Sequence, residues 1–176
     1  MIRKGKEKDI DSIEAIYGKI LEREEKGLAS IGWQRGVYPT RETACQGIGR
    51  GDMYVYEDEA THKILAAGVI NKVQLPIYAE GKWDIEATDD EVMVLHTLVV
   101  DPETAGRGIG KAFLAFYEKV ARDGGCKALR IDTQAKNVMA RTLYSKLGYK
   151  EIGILACDFF NGIDSIELVL LEKALV

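Results

Sequence analysis

The chain lacks the cysteine patterns of disulfide-rich and zinc-binding proteins. Its three cysteines, Cys45, Cys126 and Cys157, are odd in number and widely spaced, and no CxxC pair occurs. This spacing predicts neither a disulfide framework nor a zinc site. We therefore interpret all three as reduced packing residues and expect no metal cofactor.

Long hydrophobic runs and an excess of basic charge are also missing. No stretch approaches the roughly 18 apolar residues of a membrane span, and the first residues lack the apolar run of a signal peptide. A net charge of −4 argues against a nucleic-acid partner, which usually requires a basic surface. We expect a cytoplasmic protein without membrane or nucleic-acid partners. Its 176 residues suffice for one domain spanning 1–176.

The most informative stretch begins with the segment from Val92 to Val100. This segment is apolar except for His96 and Thr97, which is typical of a strand covered on both faces. Asp101-Pro102 ends the strand, because proline removes a backbone donor. The glycines that follow then lead directly into a helix.

A strand, a glycine-rich loop and a helix in this order can bind a phosphate group. The backbone N–H groups of Gly106, Gly108 and Gly110 can close around an anion, and the helix N-terminus adds partial positive charge. The Walker A spacing fails, because Ala105 and Ala112 occupy places that need glycine and Ser or Thr. The Rossmann fingerprint lacks its third glycine. It stays open as an alternative, together with a glycine-rich helix start that binds no ligand.

Helices and strands are predicted on both sides of this loop. Apolar residues at helical spacing predict a helix capped by Asp9, and Thr40 caps a second helix running toward Gly47. After the glycine loop, a helix ends at Gly124-Gly125 and Asn137 caps another helix. Strands are predicted at 53–56, 64–71, 128–133, 152–155 and 166–171, the last two as a hairpin around the loop 158–162. The order of elements predicts an α/β fold with a mixed sheet that contains a parallel pair.

Two long segments carry no periodic pattern. In residues 28–39, Trp33 and Tyr38 either line a substrate pocket or cover the edge of the core. Acidic side chains cluster from Asp84 to Glu91, where they form either a rim that attracts a cationic amine or a solvated loop.

Two motifs in order resemble those of the GNAT superfamily of acyl-CoA-dependent N-acetyltransferases. The segment AGRGIG from Ala105 to Gly110, preceded by LVVDP, is similar to the family's pyrophosphate loop, although Ala105 replaces the usual Gln or Arg. The segment NVMARTLYSKLGY from Asn137 to Tyr149 is similar to its second motif. The resemblance implies the GNAT fold, in which a central strand is bulged and splays from its parallel neighbour.

The resemblance also implies a site for acetyl-CoA as co-substrate. Backbone at Leu98 and Val100 would pair with the pantetheine arm, and an N–H near Val99 would hold the oxyanion. Asn137 would contact the pantetheine or cap its helix. The residues expected to bind the pyrophosphate and phosphates are Arg107, Gly108, Ile109, Gly110 and Lys111. The cations Arg107, Lys111 and Arg141 either neutralise the phosphates of CoA or are solvated surface charges.

Catalytic roles follow from the same resemblance. Tyr144 matches the tyrosine that protonates the leaving thiolate, and a buried core tyrosine is the alternative. His96 is the candidate general base, because an imidazole can accept a proton near neutral pH. If His96 is structural, a carboxylate from residues 84–91 or a chain of waters must serve instead.

These expectations describe an N-acetyltransferase that moves an acetyl group from acetyl-CoA to a primary amine of a small molecule or peptide. The amine would attack the thioester directly in a ternary complex. A non-catalytic acyl-CoA-binding or sensing domain is the alternative, which Ala105 favours and Tyr144 and His96 oppose. The oligomeric state stays open, a homodimer included.

Overall fold

The structure, a computed structural model, describes residues 1–158 and 166–175. The loop predicted at 158–162 therefore lies, apart from Asp158, outside the described residues. Within these ranges no helix is both long and apolar enough to cross a lipid bilayer.

The described chain forms helices around a mixed β-sheet. The helices are α1 (Ile10–Glu25), α2 (Arg41–Arg50), α3 (Ile109–Asp123) and α4 (Val138–Lys146). The strands are β1 (Ile2–Lys4), β2 (Met53–Glu57), β3 (Ile64–Asn71), β4 (Val92–Val100), β5 (Ala128–Gln134), β6 (Lys150–Cys157) and β7 (Ile166–Ala174). Their order in the sheet is β1-β2-β3-β4-β5-β7-β6. The predicted mixed α/β architecture is confirmed.

β4 and β5 form the parallel pair that the sequence predicts. Their register joins Val92 to Ala128, Met93 to Leu129 and Val94 to Arg130. β4 then continues to Val100 and β5 to Gln134. The two strands are thus paired at their beginnings, as expected of a parallel pair that splays.

The chain divides into two compact units. The first comprises Met1–Ala29, Trp33–Ile70 and His96–Tyr117, and the second comprises Ser30–Gly32, Asn71–Leu95 and Glu118–Val176. The expectation of one domain stays a prediction.

In the first unit, two local signals differ from the prediction. The carboxylate of Asp9 does not cap α1, because it accepts hydrogen bonds from Arg3 at 2.7 and 3.0 Å and from the N–H of Lys6 at 2.8 Å. Gly47 does not end α2 but lies inside it. A Cβ at this position would lie 3.0 Å from Cε of Met53. Glycine at 47 therefore serves close packing, and α2 ends instead at Gly51, whose φ is 77°.

In the second unit, a buried ion pair fixes the long segment between β3 and β4. Arg130 donates to Glu172 at 3.1 Å and lies 4.0 Å from the ring centroid of Trp83. Glu172 also accepts from the backbone N–H groups of Asp84 and Ile85 at 2.9 and 3.1 Å. Because Arg130 and Glu172 are 5% and 2% exposed, this segment is held against the sheet and is not a free loop.

Candidate functional site

The glycine loop has the backbone geometry of an anion-binding loop. Gly106 and Gly108 have φ values of 81° and 73°, a region that glycine enters without the steric cost of a Cβ. A Cβ built on either residue would meet no atom within 4 Å. The space above both glycines is therefore open to a ligand, and the residues present fit a pyrophosphate.

The N-terminus of α3 follows this loop immediately. The N–H of Ala112 donates to the C=O of Gly108 at 2.9 Å, which starts the helical ladder. The N–H groups of Ile109, Gly110 and Lys111 precede this first helical bond, as the first amides of any helix do. Together with the helix dipole they favour an anion at this place.

The loop is anchored by contacts that the sequence analysis did not predict. Asp101, at the end of β4, is 9% exposed and accepts from Nζ of Lys19 on α1 at 2.8 and 3.1 Å. Its carboxylate also accepts from the N–H of Glu103 at 3.0 Å, and its C=O accepts from the hydroxyl of Thr104 at 2.7 Å. These bonds fix the turn that leads from β4 into the glycines.

Arg107 is paired with a carboxylate in this structure. Its Nη2 donates to Oδ2 of Asp58, in the turn between β2 and β3, at 3.0 Å. The guanidinium, together with N–H and hydroxyl donors of Thr61, lowers the pKa of Asp58 to about 2. Lys111, the other cation predicted in the loop, is exposed. Any phosphate that engages Arg107 therefore competes with Asp58.

The end of β4 departs from regular strand geometry. Thr97 has a φ of 52°, which is uncommon for a β-branched residue and is typical of a local bulge or a functional constraint. Its hydroxyl is hydrogen-bonded to the hydroxyl of Tyr38. His96, the candidate base, lies next to it and is partly buried, whereas Val99 is 1% exposed.

Trp33 and Tyr38 form an aromatic pair in the first unit. Their ring centroids are 5.9 Å apart at an interplanar angle of 85°. Both residues are partly buried, and the hydrogen bond of Tyr38 ties the pair to Thr97 on the central strand. Tyr17 on α1 is buried near Tyr38. Its burial, and to a lesser degree Tyr38, raise the pKa of Tyr17. The segment 28–39 is thus joined to β4 by side chains.

In the second unit, Asn137 caps α4 as predicted. Its side-chain oxygen accepts from the N–H of Ala140 at 3.2 Å, and its amide donates to the hydroxyl of Thr133 at 3.2 Å. The capping alternative for Asn137 is therefore confirmed, and its contact with a cofactor stays a prediction.

Tyr144 is buried on α4 and retains 7% of its surface. Its ring lies 5.7 Å from that of Tyr149. Burial, and to a lesser degree the charge of Asp132, raise the pKa of Tyr144. A phenol with a raised pKa is protonated at neutral pH, so Tyr144 is neutral in this structure.

Asp132 on β5 is a functional candidate outside the acetyl-CoA site that the sequence predicts. Oδ1 accepts from the hydroxyl of Tyr78 at 2.7 Å. Burial raises the pKa of Asp132, while the bond from Tyr78 opposes that rise. Alternation along the strand shows only that Asp132 and Gln134 share a face. The burial of the carboxylate and its hydrogen bond from Tyr78 are visible only in the tertiary structure.

The acidic segment 84–91 has several of its carboxylates paired. Asp84 forms an ion pair with Lys150, and Glu91 pairs with Lys127 at 2.6 Å. Asp89 accepts from Nε2 of Gln74 at 2.6 Å. The two lysines offset part of the negative charge that the segment could offer to a cationic amine. Among residues 1–158 and 166–175, no group of three or more His, Cys, Asp or Glu side chains is arranged to hold a metal ion.

Comparison with known proteins gives a consistent result. A model of the acetyltransferase (GNAT) family matches residues 20–149. A streptothricin acetyltransferase of Escherichia coli is 26% identical over 101 residues, which are 57% of this chain and 56% of that protein. An aminoglycoside N(6')-acetyltransferase type 1 of Stenotrophomonas maltophilia is 35% identical over 52 residues, which are 30% of this chain and 34% of that protein. The matches thus span little more than half of the first relative and a third of the second.

A solved structure shares the fold over the whole chain. An acetyltransferase from Salmonella typhimurium, solved with its cofactor acetyl-CoA, is similar with a TM-score of 0.72 at 15% sequence identity. The similarity covers 100% of this chain and 94% of that one. At this level of identity the likeness concerns the fold.

Proposed function

We propose that this chain, which belongs to the acetyltransferase (GNAT) family, is an acetyl-CoA-dependent N-acetyltransferase that acetylates a primary amine of a small molecule by direct attack in a ternary complex. The glycine loop carries this proposal. Its left-handed residues Gly106 and Gly108 leave open space at the N-terminus of α3, within the part of the chain that matches the family.

In this proposal the first unit binds the nucleotide end and the thioester. The amides of Arg107, Gly108, Ile109 and Gly110 hold the pyrophosphate, and Lys111 adds positive charge. Backbone groups of Leu98 and Val100 pair with the pantetheine arm, and the N–H near Val99 stabilises the oxyanion that forms during attack. The left-handed Thr97 supports these assignments, since a bulge re-aims the backbone that follows it.

Proton transfers are assigned to one residue in each unit. His96 accepts a proton from the acceptor ammonium through water, which produces the neutral nucleophile. Tyr144 donates a proton to the leaving thiolate, the role that its place in the second motif implies. Asn137 orients the start of α4 and contacts the pantetheine.

A small-molecule acceptor is supported by the names of the two relatives, which act on streptothricin and on aminoglycosides. The aromatic pair of Trp33 and Tyr38 supplies a surface on which an amine-bearing molecule can pack. A peptide amine is the second acceptor class.

The test is a thiol-release assay with acetyl-CoA over polyamines, amino acids, aminoglycosides and peptides with free N-termini. We expect release with at least one class and micromolar or tighter binding of CoA by calorimetry. Tight CoA binding without release for any class would favour a non-catalytic acyl-CoA-binding domain. Absence of CoA binding would refute the proposal.

A further inference from the structure

The C-terminal end of β5 presents two polar side chains, Asp132 and Gln134. Asp132 and Gln134 are two residues apart on the strand, so both side chains lie on the same face. Ligands of open α/β sheets commonly bind at the carboxyl ends of strands. This placement alone does not make a site, and the contacts of each residue supply the argument.

Asp132 has no cationic partner among the described residues. Its side chain accepts from the hydroxyl of Tyr78 at 2.7 Å, and within residues 1–158 and 166–175 no Lys, Arg or His pairs with it. The groups that face it are Tyr78, Tyr144 on α4 and Cys157 on β6, all of which are neutral when protonated. Burial favours the protonated form of this carboxyl group, and an ammonium bound beside it would favour the charged form.

Gln134 carries a buried polar atom, its side-chain Oε1, without a hydrogen-bond partner among the described residues. Its amide is packed on the backbone of Gly32, where a Cβ would lie 2.7 Å from Nε2. Glycine at 32 therefore allows this amide position, and the oxygen is left to accept a hydrogen bond from a ligand.

A cavity adjoins Gln134. It measures about 240 Å³ and is lined by Gln134, Ala135, Lys136, Ile166 and Glu167. Its volume equals that of roughly eight water molecules at about 30 Å³ each, which suits a small organic molecule. The cavity lies within the second unit and is not accounted for by the phosphate-binding loop.

We propose that this face of β5 is an acceptor subsite for amines that carry a second hydrogen-bond donor, with Asp132 binding the ammonium and Gln134 Oε1 accepting from the second group. The inference rests on the proposed acetyl transfer and narrows its substrate class. Since two strand residues of one face are about 7 Å apart, the two donors of the acceptor should be separated by a similar distance.

The test uses three probes of equal chain length: cadaverine, aminopentanol and pentylamine. They share five carbons and differ at the far end, where the fifth carbon carries an ammonium, a hydroxyl or only hydrogen. Amine binding to the CoA-saturated protein is measured by calorimetry, and KM and kcat by thiol release. The wild-type protein should bind cadaverine and aminopentanol about threefold to tenfold more tightly than pentylamine, as expected for one added hydrogen bond.

The variants separate the two contacts. Gln134→Leu should abolish the preference for the bifunctional probes and leave pentylamine unchanged. Asp132→Asn should weaken all three probes at least about tenfold, because a bond to a charged group is lost. Asp123→Asn, which removes an exposed carboxylate paired with Lys119 on α3, is the matched control and should bind every probe as the wild type does.

The outcomes distinguish this inference from the proposed function. Equal binding of the three probes by the wild type, no amine binding at all, or wild-type behaviour of both variants would overturn the subsite. Intact CoA binding and thiol release under those results would leave the acetyl transfer standing. If the wild-type protein does not bind CoA, the proposed function itself is refuted.

Discussion

Replacement of Gly108 by alanine tests the phosphate-binding loop most directly. Gly108 has a φ of 73°, and a Cβ there meets no atom within 4 Å, so no internal clash follows. The stability cost is then the left-handed conformation of alanine, about 1–2 kcal/mol, which lowers Tm by roughly 2–8 °C for a chain of this size. If the methyl group removes one hydrogen bond to the pyrophosphate, worth about 1.5–3 kcal/mol, Kd for CoA rises about 10- to 150-fold.

A matched control exists at the other end of the same helix. Gly125 has a φ of 70° and open space around its hypothetical Cβ, so Gly125→Ala carries the same backbone strain away from the loop. Calorimetric titration with CoA and thermal unfolding are measured for both variants. The reasoning is refuted if folded Gly108→Ala binds CoA like the wild type, or if Gly125→Ala loses the same affinity.

Three further predictions concern the proton transfers and the cation of the loop. Tyr144→Phe keeps the packing against Tyr149 and should lower kcat about 10²- to 10⁴-fold with Tm nearly unchanged; full turnover would reassign the acid to water. His96→Gln should lose turnover near pH 7 and recover part of it at high pH, where the free amine arrives deprotonated; an unchanged acidic limb of the rate profile would make His96 structural. Asp58→Asn should leave CoA affinity equal or a few-fold tighter, because Arg107 is released; weaker binding would mean that Asp58 positions Arg107 for the ligand. Since the pKa of Asp58 is lowered to about 2, its stabilising contribution is complete above the ordinary value of 3.8 and is lost as pH falls through about 2, and acid unfolding of the variant should lack that step.

Contiguous residues encode the parts that could be predicted from the sequence. The apolar run of β4, the glycines before α3 and the cap of α4 each depend on neighbours within a few positions. Propensity, capping and periodicity act over that range, so these elements follow from local chemistry. Local signals still failed where a distant partner changed the outcome. Arg3 drew the carboxylate of Asp9 away from α1, and Met53 made Gly47 a packing residue inside α2.

The chemical surroundings of the candidate residues were decided by the tertiary structure. Tyr38 bonds to Thr97 across 59 positions, Tyr78 to Asp132 across 54 and Arg107 to Asp58 across 49. No short pattern records such pairs, because they form only when the sheet and its connections bring distant side chains to hydrogen-bond distance. The sequence by itself therefore determined the family and the position of the glycine loop before α3. Burial and long-range contacts decided which carboxylate is left without a cation, since desolvation and pairing exist only in the folded chain.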